Sequence, residues 1–161
     1  MLTFSCYGTR LHGDARGTVD QFTNVPGTAV LPASGRRECF EKSLLKDHPV
    51  YLDARQRDLV LGAIRRHCEV RGWILHVAHV RTNHVHVVLW ADVKPEDAMA
   101  QLKRYASRDL NRSSGKRGHW WASHGSTRYL WNERQIAEAA EYAAHQQGAP
   151  MALDLIGENG I

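Results

Sequence analysis

Two histidines and one tyrosine carry the chemistry this sequence offers. His84 and His86 stand in the run Asn83-His84-Val85-His86-Val87-Val88-Leu89. The stretch from Trp73 to Trp90 is rich in β-branched and aromatic residues, which favours strand. Alternate side chains of a strand share a face. His84 and His86 therefore point one way, and Val85, Val87 and Leu89 point the other way, into a core. Two imidazoles on one face can share a metal ion, since imidazole is a common ligand of divalent transition metals. An isolated His-x-His is more often a pair of surface histidines, so the rest of the chain has to decide. Tyr142 is the only large aromatic in the alanine-rich stretch 136–146, and Gln146 lies four residues on, one helical turn along the same face. A phenol can act as a nucleophile and form a covalent intermediate. An amide oxygen one turn away can complete a metal site begun by two histidines. The plainer reading of Tyr142 is a core aromatic that anchors its helix.

The elements that must position these residues follow in chain order. Residues 1–7 are short, apolar and aromatic, a first strand ended by Gly8-Thr9. Residues 10–50 form a long loop-rich insertion dominated by Gly, Pro, Asp, Asn and Arg, with one helical turn near 39–45. Loops of that length are uncommon and are often functional. Residues 53–70 read as a helix with Asp53 as N-cap and Gly72 as its stop. Residues 73–80 and 84–90 form an antiparallel hairpin turning at Arg81-Thr82-Asn83. His76 and His79 lie at odd spacing on its first strand, hence on opposite faces, and core or surface is the expected place for each. Pro95 opens a helix to about residue 111, with Met99, Leu102, Ala106 and Leu110 on one face and Lys103, Arg104, Arg108 and Arg112 largely on the others. A basic loop (residues 113–118) follows, then His119-Trp120-Trp121. Residues 125–131 read as a fourth strand, and Asn132 caps a last helix from 133 to 146, stopped by Gly148 and Pro150. The order is β-α-β-β-α-β plus one helix. That makes the expected fold class α+β, ferredoxin-like, with an antiparallel four-stranded sheet and a C-terminal helix carrying the tyrosine.

Composition sets the frame. With 161 residues, 43% hydrophobic and 24% charged, the chain reads as one globular domain spanning 1–161. The net charge of +4 permits nucleic-acid binding without establishing it. Cys6, Cys39 and Cys68 are scattered with no CxxC pair, which points to a reducing compartment and away from a cysteine zinc site. No signal peptide and no membrane-length apolar run are visible, so the expected location is cytoplasmic.

Asn83-His84-Val85-His86 resembles the His-hydrophobic-His signature of the HUH endonuclease superfamily. Tyr142-x-x-x-Gln146 on a C-terminal helix is similar to the catalytic helix of its single-tyrosine transposases, which include insertion-sequence transposases and REP-associated tyrosine transposases. Thr3-Phe4-Ser5-Cys6-Tyr7-Gly8-Thr9 and Leu102-Lys103-Arg104-Tyr105 are similar to family texture more weakly. The resemblance covers about residues 3–148. The long insertion is like that of the REP-associated group, whereas Gln146-Gln147 resembles the insertion-sequence group.

The resemblance implies a DNA endonuclease and strand transferase. Tyr142 would attack a phosphate of single-stranded DNA at hairpin-associated sites, leaving a 5′-phosphotyrosine link and a 3′-hydroxyl that can be rejoined. His84, His86 and Gln146 would hold a divalent metal, Mg²⁺ or Mn²⁺. Two imidazoles suit Mn²⁺ better than Mg²⁺, which prefers oxygen ligands. Insertion-sequence relatives act as homodimers and REP-associated ones can act as monomers. No general base stands out, His145 and Glu138 being weak candidates. Tyr105, four residues after Gln101, is the rival nucleophile. Candidate DNA-binding residues are Arg81, Lys103, Arg104, Arg108, Arg112, Lys116, Arg117 and Arg128 for the backbone, with Trp120 and Trp121 for stacking on unpaired bases. The tryptophans are equally at home in a core. Two alternatives remain: a non-catalytic hairpin-binding regulator, and a hydrolase using a His-x-His metal site and water.

Overall fold

The computed structural model describes residues 1–10, 34–115 and 117–155. Its elements are β1 (Leu2–Cys6), α1 (Gly35–Ser43), α2 (Ala54–Arg71), β2 (Ile74–Val80), β3 (His84–Trp90), α3 (Pro95–Ser114), β4 (Trp121–Thr127), α4 (Glu133–His145) and β5 (Ala152–Leu155). Local sequence explains the helix ends. Asp53 Oδ1 accepts from the Gln56 amide N–H at 2.7 Å, and Gln56 Oε1 accepts from the Asp53 N–H at 3.0 Å, a reciprocal cap on α2. Gly72, at φ +66°, closes that helix with its N–H on the carbonyls of Cys68 and Glu69. On α3, Pro95 starts the first turn and Glu96 and Asp97 complement the helix dipole.

The five strands form one antiparallel sheet in the order β4-β1-β3-β2-β5. The protein is thus α+β, with a five-stranded antiparallel sheet and four helices among the described residues, compatible with a ferredoxin-like arrangement. Strand alternation sorts the two faces. Leu2, Phe4 and Cys6 of β1 and Val85 and Val87 of β3 are buried with Val60, Ile64 and Cys68 of α2 and Leu102, Ala106 and Leu110 of α3. On the other face Val77 and Val88 are buried with Ala139 and Ala143 of α4. No helix among the described residues is long and apolar enough to cross a membrane.

Three elements depart from the sequence reading. The fourth strand runs over Trp121–Thr127, earlier than residues 125–131, because β1 pairs Leu2 with Thr127 and Cys6 with Trp121. Gly125 permits this: a Cβ there would sit 2.6 Å from the Thr3 carbonyl oxygen and 2.5 Å from Met99 Sδ. The aromatic run Tyr129-Leu130-Trp131, which has strand propensity, lies beyond the sheet as the link into α4. The chain after Pro150 supplies a fifth strand on the free edge of β2, with Val80 opposite Ala152 and Val77 opposite Leu155. Of the long insertion, residues 11–33 lie outside the described residues, and α1 covers more than the single turn expected.

Candidate metal and nucleophile site

β3 places His84 and His86 on the face that α4 covers. Their rings meet edge to face, 4.8 Å between centroids. Tyr142, on the last turns of α4, meets His86 edge to face at 5.8 Å and keeps 43% of its surface exposed. Tyr142 and the histidine pair, separate in sequence, are thus brought together by helix docking. The helix is fixed from below by His79, directly across the β2–β3 ladder from His86. Fully buried, His79 Nδ1 donates to the Ala143 carbonyl at 2.6 Å, and its Nε2 accepts from the Met151 N–H at 3.3 Å. His79 is therefore a core histidine that pins the tyrosine helix and the approach to β5.

The hydrogen bonds around the pair fix its lone pairs. His84 Nδ1 donates to Asn83 Oδ1 at 2.8 Å, and the His84 ring also bonds the Gln147 side chain. His86 Nδ1 pairs with the Thr3 hydroxyl at 2.8 Å, and Nε2 donates to Gln147 Oε1 at 3.3 Å. A hydroxyl both donates and accepts, so Thr3 Oγ1 can accept a hydrogen bond from Nδ1–H if Nε2 becomes a ligand. Burial pushes the His86 imidazolium down to about 4, with the neighbouring His84 charge as a further cause and the Gln147 amide opposing. His84 is lowered as well, by burial first, with the Gln147 side chain opposing and the charges of Arg81, His79 and Arg10 adding to it. Both rings are held in the neutral, ligating form.

These residues fit a divalent cation. Two ligand atoms, each about 2.1 Å from one ion, lie about 3.0–3.4 Å apart at octahedral to tetrahedral angles. Nε2 of His86 and Oε1 of Gln147, at 3.3 Å, already have that separation. Among the described residues no three His, Cys, Asp or Glu side chains are grouped, and the oxygen donor that stands against the pair is a side-chain amide. That amide belongs to Gln147, while Gln146, the residue expected from the one-turn spacing, is an exposed C-cap whose N–H bonds the Tyr142 carbonyl. The reason is that α4 ends at His145: past the last regular turn the chain changes direction, and helical spacing no longer tells which side chain faces the sheet. Thr3 and Asn83, which orient the rings, were also missed. Thr3's period-two position on β1, opposite His86, was the available signal.

The candidate DNA contacts divide. Arg81 stands beside the site, its Nη1 donating to the Ala149 carbonyl at 2.6 Å. Lys103 is not a free surface cation: its ammonium donates to the carbonyls of Ala122 at 2.8 Å and His124 at 3.1 Å and lies 5.5 Å over the Phe4 ring. Arg104, Arg108 and Arg112 belong to α3, on the side of the sheet away from the histidines. The first two lie over the Tyr105 ring at 5.6 and 4.7 Å. Tyr105 itself stacks on His67 at 4.2 Å on that same side, remote from the pair it would need as a nucleophile. Arg117 and Arg128 are exposed, and Lys116 lies outside the described residues.

The tryptophan expectation is corrected. Trp120 is 8% exposed, its indole N–H on Asn111 Oδ1 at 2.8 Å. Trp121 is half-buried with its edge on Phe4 at 5.2 Å, and its N–H is on Ser107 Oγ at 2.9 Å. Indoles fixed in this way serve the core.

Comparisons of the chain with family models, with curated protein sequences and with solved structures returned no match.

Proposed function

We propose that this protein is a single-tyrosine DNA nicking and joining enzyme of the HUH transposase type, built on a ferredoxin-like core with α4 added. The observation that carries the reading is the convergence of Tyr142, His84, His86 and Gln147 on one face of the sheet. The side chains that the resemblance selects stand at widely separated points of the chain, and three of its four meet here, with Gln147 in the place of Gln146. The β4-β1-β3-β2 order also agrees with a ferredoxin-like core.

The substrate is single-stranded DNA at hairpin-associated sites. Tyr142 Oη attacks the scissile phosphorus, a P–Oη bond forms, and the bond to the 3′ oxygen breaks. The phenol proton is released to water, and the departing oxygen takes up a proton as a 3′-hydroxyl. The 5′-phosphotyrosine keeps the energy of the broken ester, so attack by a 3′-hydroxyl reverses the step and rejoins strands without ATP. His84 and His86 would hold Mg²⁺ or Mn²⁺ with Gln147. Such a cation supplies Lewis-acid polarisation of the phosphate and charge stabilisation as the new bond forms. Thr3 and Asn83 hold the rings in register. Tyr142, exposed and beside His86, has room to meet a phosphate there. Arg81 adds positive charge beside the same site.

The test is a denaturing gel of labelled single-stranded DNA from the gene's flanks, incubated with wild type or Tyr142→Phe protein in Mn²⁺ or in EDTA. A covalent protein–DNA band that needs both Tyr142 and metal is the expected result. Cleavage that survives Tyr142→Phe with no adduct would instead establish the water-using hydrolase. Hairpin binding without cleavage would establish the regulator.

A further inference from the structure

The segment between β4 and α4 carries an aromatic pair that the site described above does not use. Tyr129 and Trp131 stack with centroids 5.3 Å apart and planes 17° from parallel. Trp131 is 79% exposed and Tyr129 58% exposed. Leaving an indole in water forgoes about 1.5–3 kcal/mol of burial, and among the described residues no other two exposed aromatics stack on each other.

The pair is also held. The Trp131 N–H donates to Gln135 Oε1 at 2.8 Å, and the Gln135 N–H donates to Asn132 Oδ1 at 2.9 Å. The cap of α4 thus fixes the backbone that carries the indole, and Tyr129 supports its ring. A platform ordered in the free protein binds without further ordering entropy.

Position and charge indicate its occupant. The platform opens the helix that carries Tyr142, and the nine helical steps from Glu133 to Tyr142 span about 14 Å. Arg128, next to Tyr129, is exposed and makes no ion pair among the described residues. Flat stacked rings next in sequence to a guanidinium that makes no ion pair among the described residues match unpaired bases on a phosphate backbone, which bind by stacking and charge without sequence readout.

We propose that Tyr129 and Trp131 form a stacking platform for unpaired bases of the single-stranded DNA whose phosphate Tyr142 attacks, a few nucleotides from the scissile bond. This rests on the nicking reading and deepens it. The strand would run along α4, with its bases on the aromatic pair and its backbone near Arg128.

Binding is measured by anisotropy of a fluorescein-labelled 20-mer of oligothymidine, in Tyr142→Phe protein so that no cleavage intervenes. Trp131→Ala and Tyr129→Ala should each weaken binding about tenfold, and Trp131→Phe should recover part of the loss. Thermal melting of the three variants identifies any loss caused by misfolding, and Trp131→Phe keeps a ring in place if an alanine variant is unstable. Unchanged affinity in both alanine variants, with wild-type side chains at 129 and 131 binding the oligonucleotide, overturns the platform and leaves the nicking reading standing. A background protein with no affinity for the 20-mer overturns the platform, while the covalent adduct of wild-type protein on flanking DNA tests the nicking reading separately. An oligouridine preferred at least tenfold over oligothymidine, or a wild-type dimer that Trp131→Ala converts to monomer, overturns the platform in favour of RNA or of a second copy.

Discussion

The two faces of the sheet are built from different materials. Under α2 and α3 lie Phe4, Leu52, Ile64, Leu102, Leu110, Val85 and Val87, all almost fully buried. Under α4 lie two valines, two alanines and the buried imidazoles of His79 and His86. The first face carries large apolar side chains, each worth about 1.5–3 kcal/mol when fully buried. The second buries little apolar area and tethers its helix by a hydrogen bond from His79 to Ala143. One face holds the molecule together, while the other sets neutral, ordered polar groups beside a partly exposed phenol. Low-stability elements are where proteins place what must open to ligand, and α4 fits that description.

That contrast can be broken by substitution. On the large-core face, Phe4→Ala should destabilise the fold by about 3–5 kcal/mol in urea unfolding. A loss under 1 kcal/mol would show that the α2/α3 face is not the source of stability.

Acid should act on the other face. In the unfolded chain an imidazole takes up its proton as pH falls through about 6.5, whereas folded His86 does so only near 4. The stability His86 contributes is therefore complete above pH 6.5 and is lost as pH falls toward 4, by up to about 3 kcal/mol. His79 and His84, lowered chiefly by burial, act in the same direction; His67 does so on the opposite face. Amide exchange should show α4 opening before α2 and α3 as the pH is lowered from 7 to 4.5. Simultaneous opening of all three would erase the distinction.

A smaller effect separates adjacent residues. Gln147→Ala should weaken Mn²⁺ binding about tenfold in a calorimetric titration, the scale seen when a metal site loses a supporting group. Gln146→Ala should leave it within twofold, and the reverse ranking would return the ligand role to Gln146. Smallest of all, Ala139→Gly in the buried stripe of α4 should cost about 1 kcal/mol through helix propensity. That loss should appear mainly as faster local exchange in α4, with a smaller change in global melting.

Much of this was legible in the chain because it is local. Asp53 and Gln56, Gly72, Pro95 and Asn132 mark helix ends by chemistry acting within a few residues. The alternation of His84 and His86 with Val85 and Val87 assigns their faces by strand periodicity alone. The basic residues of α3 were harder to place. Their helical periodicity was visible, but which face of the sheet the helix covers depends on how the connections cross. Composition left the tryptophans open between core and DNA and gave no sign that Lys103 is engaged, since only packing shows that the Lys103 ammonium meets three carbonyls of β4 and that the Trp120 indole meets Asn111.

By itself the sequence determined the helices α2, α3 and α4, the hairpin, the face of the histidine pair and the presence of a tyrosine on the last helix, since period and capping are properties of short segments. Only the tertiary structure decided what meets what. It set β4 at Trp121–Thr127, because a long-range ladder with β1 outweighs the strand propensity of residues 129–131. It recruited the tail as β5, because the edge of β2 offered unpaired backbone groups. It turned Gln147 to His86, because the direction of a chain leaving a helix follows from the sheet that receives it.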